Sequence, residues 1–219
     1  MRFLTVVWAV AWRDVRAELR GRELFPALAQ FVVLALVIAN FAFDLDHNRG
    51  QQLGPGILWL VLVFTGLVAF SRAFAGERDQ GSLEAMLLTP AGHAAILAGK
   101  SLAAAMALTA CELVLLPALA VFLGAPLTAA SFAVVFLAIV GMSALGCLLA
   151  ALAAQSRAKE LLLPVLALPL WVPYVVLGAG LVEESLAGPI QVQPLIGLVY
   201  MDILFVLVAS VAARFVLDD

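Results

Sequence analysis

A Gly-Lys-Ser sequence at residues 99–101 raises the question of phosphate binding. A phosphate-binding loop has the pattern G-x-x-x-x-G-K-[ST] between a buried strand and a helix, so that backbone N–H groups close around the phosphates. Here Ala94 stands where the first glycine belongs, the nearest glycine is Gly92, and no apolar strand precedes it. We interpret the match as chance, and we predict that Lys100 is a basic residue at the cytoplasmic mouth of a membrane span.

Two carboxylates lie within long apolar runs. Glu112 is near the middle of its run, where a carboxylate costs several kcal/mol unless it is protonated, paired or hydrated. Two interpretations stay open for Glu112: a neutral acid hydrogen-bonded within a helix bundle, or a gating or substrate-path role. Asp202 lies about two turns from the outer end of its run and could reach water.

Residues that commonly bind metals or haem are few and scattered. Cys111 and Cys147 each lie in an apolar run without a Cys-x-x-Cys pattern, and this predicts small core residues. His47 and His93 are predicted on opposite sides of the membrane, so they cannot jointly bind one haem. We expect no metal or haem held by this chain alone.

The composition is that of an integral membrane protein. Of the 219 residues, 65% are hydrophobic and 12% are charged, and the mean hydropathy is +1.12. A soluble globular domain has about half its residues apolar and about a quarter charged. We therefore predict one transmembrane domain over residues 1–219, in contact with membrane lipid and with no nucleic-acid partner. Arginines recur through the N-terminal segment, which does not resemble a signal peptide and is expected to stay in the mature protein.

Six stretches have the length and hydrophobicity of spanning helices. All of the 12 Lys and Arg residues except Arg49 then fall on one side of the membrane. The positive-inside rule places that side, and with it both termini, in the cytoplasm. The predicted spans are residues 24–43, 54–73, 99–123, 128–154, 161–182 and 195–216.

The segment of residues 1–22 has an amphipathic pattern. Apolar residues recur at helical spacing, and arginines fall on the opposite side. This pattern predicts a helix lying in the cytoplasmic interface, with tryptophans at headgroup depth and arginines facing anionic lipid or a partner. A plain membrane anchor would need no further function. The residues concerned are Trp8, Trp12, Arg13, Arg16 and Arg20.

The connection of residues 76–98 contains a candidate docking helix. Gly81 breaks the chain, Ser82 is a plausible N-cap, and Glu84 falls in the first turn. Leu83, Met86 and Leu87 would share one face, and Thr89-Pro90 would end the helix. A short exposed helix with one apolar face suits docking in the groove of another protein. A solvated loop helix is the alternative.

Three prolines divide the fifth predicted span: Pro164, Pro169 and Pro173. Each frees a backbone carbonyl, so we expect a kink or a break. A hinge between two arrangements and a fixed shape packed against neighbours both stay open.

The chain resembles a known family at "ERDQGSLEAMLLTP". This stretch is similar to the signature of haem exporter protein B, the membrane subunit of the haem exporter ABC complex of cytochrome c maturation. The resemblance extends to "RDVRAELRGRELFPALAQF", "GPGILWLVLVFTGLVAFSRAF" and "LLLPVLALPLWVPYVVLGAG". With the length and six spans, it covers nearly the whole chain. It implies an all-α integral membrane protein with the ABC-2-type exporter fold.

The resemblance also implies a role and partners. The loop between the second and third spans would be a coupling helix that docks on a separate ATPase subunit, which carries the ATP and magnesium. Two ATPase subunits and two copies of this chain would assemble with a haem-handling membrane subunit and a small single-helix subunit in the bacterial inner membrane. ATP hydrolysis would release a haem-loaded periplasmic chaperone, so haem is carried by partner proteins. The implied docking residues are Glu77, Gly81, Ser82, Leu83, Glu84, Leu87 and Pro90.

Two other functions remain as alternatives. A generic ABC-2-type exporter of a lipid, glycan or drug would share the loop signature but lack the match in the fifth span. A proton-coupled carrier using Glu112 would show paired broken helices in two repeated halves. The prolines are concentrated in one span and no repeat is evident, which disfavours the carrier. No catalytic constellation of Ser, Cys or metal ligands converges in the sequence, so we expect no enzymatic activity in this chain.

Overall fold

The computed structural model describes residues 3–21, 24–43, 47–73, 92–124, 128–156, 159–188 and 191–217. Within these ranges the chain forms seven helices and no strand. Six of the helices are long and apolar enough to cross a membrane, which confirms the predicted all-α class with six spans. The helices are α1 (Phe3–Gly21), α2 (Leu24–Phe43), α3 (His47–Arg72), α4 (His93–Leu123), α5 (Ala129–Gln155), α6 (Lys159–Ala187) and α7 (Val192–Leu217).

The helix α5 forms the centre of the bundle. It packs against α3, α4, α6 and α7, and its buried residues extend from Ser131 to Ala153. Glycines permit the closest approaches: a Cβ atom at Gly146 would lie 2.6 Å from the ring of Phe70 on α3. Association of helices in lipid depends on close packing of this kind, because lipid chains are as apolar as the side chains.

The helix α6 is continuous through Pro164, Pro169 and Pro173. Of the predicted kink or break, the break is not observed, and the kink stays a prediction. Leu163, Ala167, Trp171 and Tyr174 are buried at helical spacing along the same stretch, so packing against α3 and α5 holds the helix together. Neighbouring helices commonly compensate for proline inside a spanning helix.

Polar side chains mark where helix ends meet. Near the end of α2, the Asn40 amide donates a 3.0 Å hydrogen bond to the Phe122 carbonyl of α4. The Gln155 amide at the end of α5 donates to the Val216 carbonyl of α7. In each contact two C-terminal ends meet, so α2 runs parallel to α4 and α5 runs parallel to α7.

A hydroxyl cluster joins the start of α5 to the end of α6. Thr128 caps α5 by accepting a 3.0 Å hydrogen bond from the Ser131 N–H. The hydroxyl oxygens of Ser131 and Ser185 are 2.8 Å apart. Gly124 ends α4 with a φ of 63°, a left-handed conformation that favours glycine. The connection between α4 and α5 therefore begins at Gly124, and residues 125–127 lie outside the described ranges.

Candidate functional site

The N-terminal helix α1 packs along α4. Ala11 is fully buried, and Val10 lies directly over Gly99 of α4. A Cβ atom at Gly99 would be 2.7 Å from the Val10 Cβ and 2.9 Å from the Val7 carbonyl oxygen. A glycine at position 99 thus lets the backbone of α1 approach α4 closely.

Lys100 joins three elements at this contact. Its ammonium group donates a 2.8 Å hydrogen bond to the Ala73 carbonyl, just after α3, and lies 3.3 Å from Oδ2 of Asp14 on α1. Asp14 also accepts hydrogen bonds of 2.9 and 2.7 Å from Nε and Nη2 of Arg13. We call the group formed by Lys100, Asp14 and the Ala73 carbonyl the Lys100 junction.

Lys100 is buried and the Gly-Lys-Ser sequence is helical, while the place of Lys100 at the cytoplasmic mouth of a span stays a prediction. Lys100 is 2% exposed, whereas a residue snorkelling at the mouth of a span would present its ammonium group to water. Burial is tolerated because the ammonium group meets a carboxylate and a carbonyl. Gly99, Lys100 and Ser101 all lie within α4, and the Ser101 hydroxyl bonds to the Leu97 carbonyl of its own helix. This helical geometry differs from a phosphate-binding loop.

The outward side of α1 carries an exposed aromatic pair. Trp8 and Trp12 are 56% and 41% exposed and stack with their ring centroids 6.2 Å apart. The Arg16 guanidinium lies 5.1 Å from the Trp12 ring centroid, and Arg13 and Arg20 are also exposed. The predicted apolar side is divided: Ala11 faces the bundle, while both tryptophans face outward. This division suits a helix between a bundle and lipid headgroups, and its membrane depth stays a prediction.

The candidate docking helix lies outside the described residues, which exclude residues 74–91. This segment contains Glu77, Gly81, Ser82, Leu83, Glu84, Leu87 and Pro90. The residues on either side of this segment, Ala73 and Gly92, are described. Ala73 accepts the hydrogen bond from Lys100, and the Gly92 carbonyl accepts a 2.8 Å hydrogen bond from the Ala95 N–H in the first turn of α4.

Glu112 is buried beyond the midpoint of α4. Its side chain is 2% exposed, between Leu108 and Leu115 on the same buried side. Oε1 has no hydrogen-bond partner among the described residues. One of the two interpretations was that Glu112 is a neutral acid with a hydrogen bond inside the bundle, and that bond is not observed at Oε1. The choice between a structural and a gating role for Glu112 stays open.

Asp202 is buried where α5, α6 and α7 meet. It is 6% exposed, so the predicted access to water is not observed in the chain. The Tyr174 hydroxyl donates a 2.7 Å hydrogen bond to Oδ1, and the Tyr174 ring packs on Phe205 with centroids 5.6 Å apart. A Cβ atom at Gly141 would overlap both the hydroxyl and the carboxylate. Tyr174 was not predicted from the sequence. Two features indicated such a partner: Asp202, a carboxylate in a spanning helix that needs a hydrogen-bond donor, and Gly141, a glycine in the facing span.

Cys111 and Cys147 are buried free thiols, as predicted for core residues. Over the described ranges, no group of three or more His, Cys, Asp or Glu side chains could hold a metal ion.

Comparison with known proteins covers almost the full chain. A family model described as CcmB protein matches residues 5–218. The chain belongs to the CcmB family. The relatives that carry the name "Heme exporter protein B" include three bacterial proteins. The protein of Rhodobacter capsulatus is 32% identical over 211 residues, which are 94% of this chain and 96% of the relative. The protein of Bradyrhizobium diazoefficiens is 31% identical over 193 residues, 86% of each chain, and that of Pseudomonas aeruginosa is 31% identical over 163 residues, 72% of each chain.

Membership of the family confirms the resemblance found in the sequence. The match extends from α1 to the end of α7, so it includes the Lys100 junction and the Tyr174–Asp202 pair. The six spanning helices of this family member are those described above.

Proposed function

We propose that this chain is the membrane subunit of a haem exporter ABC complex that acts in cytochrome c maturation. The observation that carries the proposal is the family match over residues 5–218. It is joined by relatives named heme exporter protein B that align over 72% to 96% of their own length. The six spanning helices suit a membrane subunit. In this proposal the chain has no nucleotide site of its own.

The partner ATPase docks on the coupling loop predicted over residues 76–98, in the part that precedes α4 and lies within the stretch of residues 74–91. This stretch connects α3 to α4 at the end of the bundle where α1 also packs. The Lys100 junction holds Ala73 at the end of α3, and Gly92 is the N-cap of α4. A displacement of the stretch therefore acts directly on two spanning helices. ATP hydrolysis in the partner would thereby change the arrangement of α3 and α4 and release the haem-loaded chaperone or translocate haem.

The complex contains two ATPase subunits, two copies of this chain, a haem-handling membrane subunit and a small single-helix subunit. It lies in the bacterial inner membrane, with both termini of this chain in the cytoplasm, because the Lys and Arg residues are concentrated on that side. ATP and magnesium bind to the ATPase, and haem is held by the other membrane subunit and by the periplasmic chaperone.

Covalent-haem staining of membranes from the native host, with and without this gene, tests the function. Loss of the stained c-type cytochromes is expected, with haem still bound to the periplasmic chaperone on a parallel blot. Unchanged staining would contradict a role in maturation and would favour a generic ABC-2-type exporter.

A further inference from the structure

We propose that Lys100 and Asp14 are positioning residues for coupling, which make α1, the base of the 74–91 stretch and α4 move as one body. This inference rests on the proposed function, because it concerns how the push of the ATPase reaches the spanning helices. It assigns a role to the Gly-Lys-Ser sequence that phosphate binding does not explain.

The bonds at the junction connect parts of the chain that are distant in sequence. Lys100 binds Asp14, 86 residues earlier, and Ala73, 27 residues earlier. An ammonium group has three N–H donors in a compact head, so one lysine can hold a carboxylate and a carbonyl at once. The two contacts therefore fix α1 and the end of α3 to the same point on α4.

The chemistry of the junction favours a fixed register. A buried apolar contact is non-directional and tolerates sliding, whereas a buried ammonium group requires its carboxylate and carbonyl at defined distances. A well-packed apolar pair would often be as stable as a buried ion pair. Gly99, one residue earlier, brings the α1 backbone close enough for Asp14 to reach Lys100. Glycine and lysine together therefore set both the separation and the register of α1 on α4.

The position of the junction suits transmission. Ala73 is the last described residue before the 74–91 stretch, and Lys100 lies about two turns after Gly92, where α4 begins. A force applied to the stretch or to the exposed side of α1 thus reaches α4 near its first turns. Glu112 lies about 18 Å further along the same helix, at 1.5 Å per residue. Movement of α4 as a rigid rod would carry Glu112 with it.

The test uses the assembled complex in lipid nanodiscs. Basal ATPase activity, ATPase activity stimulated by the haem-loaded chaperone, and haem release are measured on the same sample, after subunit content is checked. For K100M and D14N we expect stimulation and haem release to fall roughly tenfold, a typical size for coupling between sites. Basal activity and subunit content should be retained, because Asp14 keeps Arg13 when Lys100 is replaced. K100R should recover part of the stimulation.

Two variants serve as matched controls. R13Q removes a cation that binds Asp14 and leaves Lys100 in place, and S101A removes a hydroxyl that donates to the Leu97 carbonyl and leaves both Lys100 and Asp14 in place. Both should keep normal stimulation. Normal stimulation in K100M or D14N would overturn the proposal, as would a loss of basal activity in proportion to the loss of stimulation. If the wild-type complex itself fails to release haem from the chaperone, the proposed function fails instead.

Discussion

The Tyr174 hydroxyl donates a 2.7 Å hydrogen bond to Oδ1 of Asp202 and so joins α6 to α7 inside the bundle. Both side chains are buried, and Oδ2 of Asp202 has no partner among the described residues. Gly141 of α5 leaves the space in which the pair lies. A buried polar group without its hydrogen bond costs more than the bond itself contributes, so this contact constrains how the three helices pack.

Removing the hydroxyl should destabilise the chain. Tyr174→Phe removes the side-chain donor to Oδ1 of Asp202, and we expect a loss of about 1 to 3 kcal/mol in unfolding free energy. Thermal unfolding of the purified protein in detergent measures this loss. Tyr200→Phe is the matched control, because Tyr200 is the only other tyrosine and is 68% exposed. Equal transition temperatures for the two variants would contradict the structural importance of the bond.

Adding a methyl group at Gly141 should disrupt the same contact. Gly141→Ala places a Cβ atom where the Tyr174 hydroxyl and the Asp202 carboxylate lie, and overpacking of this kind costs about 1 to 3 kcal/mol. Gly180→Ala on α6 meets no atom within 4 Å, so this control should be neutral or slightly stabilising, since alanine favours helix. Unfolding in detergent compares the two. A Gly141→Ala variant as stable as the Gly180→Ala variant would show that α5 is not packed against this pair.

The spans and the amphipathic helix could be predicted because hydrophobic length and helical spacing are local properties of the sequence. The ends were less accurate: α4 begins at His93, before the apolar run from residue 99 that predicted it. Helices extend past the hydrocarbon region because their backbone hydrogen bonds do not depend on lipid. The prolines Pro164, Pro169 and Pro173 left a kink and a break both open, because the packing by neighbouring helices that keeps α6 continuous is absent from the local sequence.

The residues of the candidate site could be predicted only in part. Glu112 and Asp202 stood out because charge is rare in spanning helices, and their burial agrees with that signal. The partners did not stand out: Tyr174 and Asp14 are ordinary residues until the fold brings them to Asp202 and Lys100. The two residues of the Tyr174–Asp202 pair are 28 positions apart in the chain, and those of the Asp14–Lys100 pair are 86 positions apart. Such pairs follow from tertiary packing and leave no fixed spacing in the sequence.

Glu112 should tolerate loss of its charge. Oε1 is buried without a partner among the described residues, and an ionised carboxylate in that setting is costly, so the neutral amide of Glu112→Gln should fit. We expect normal abundance and normal c-type cytochromes for Glu112→Gln, and loss of both for Glu112→Lys. Membrane blots and haem staining in the complemented host measure these outcomes. Normal abundance with lost cytochromes in Glu112→Gln would indicate that the ionisable group has a gating role.

The tryptophans of α1 should lie at headgroup depth. Trp59 and Trp171 are fully buried in the bundle, so lipid-borne quenchers act on the exposed Trp8 and Trp12. We expect lipids brominated near the headgroup to quench fluorescence more strongly than lipids brominated near the chain ends. The Trp8→Phe/Trp12→Phe variant should lose most of the quenching. Equal quenching from both depths, or none, would contradict the interfacial position of α1.

The docking function of the 74–91 stretch can be tested by changing the charge and the polarity of its predicted contact residues. Glu84→Lys replaces an acid with a base, and Leu87→Asp places a charge on the predicted apolar face. We expect both variants to insert normally and to keep the spanning helices, because the changes lie outside α3 and α4. Substrate-stimulated ATPase activity should fall, since burying an unpaired charge at an interface opposes docking. Ala85→Ser, a small change in the same stretch, is the control. Full stimulated turnover in either Glu84→Lys or Leu87→Asp, measured in the assembled complex, would show that the ATPase docks elsewhere.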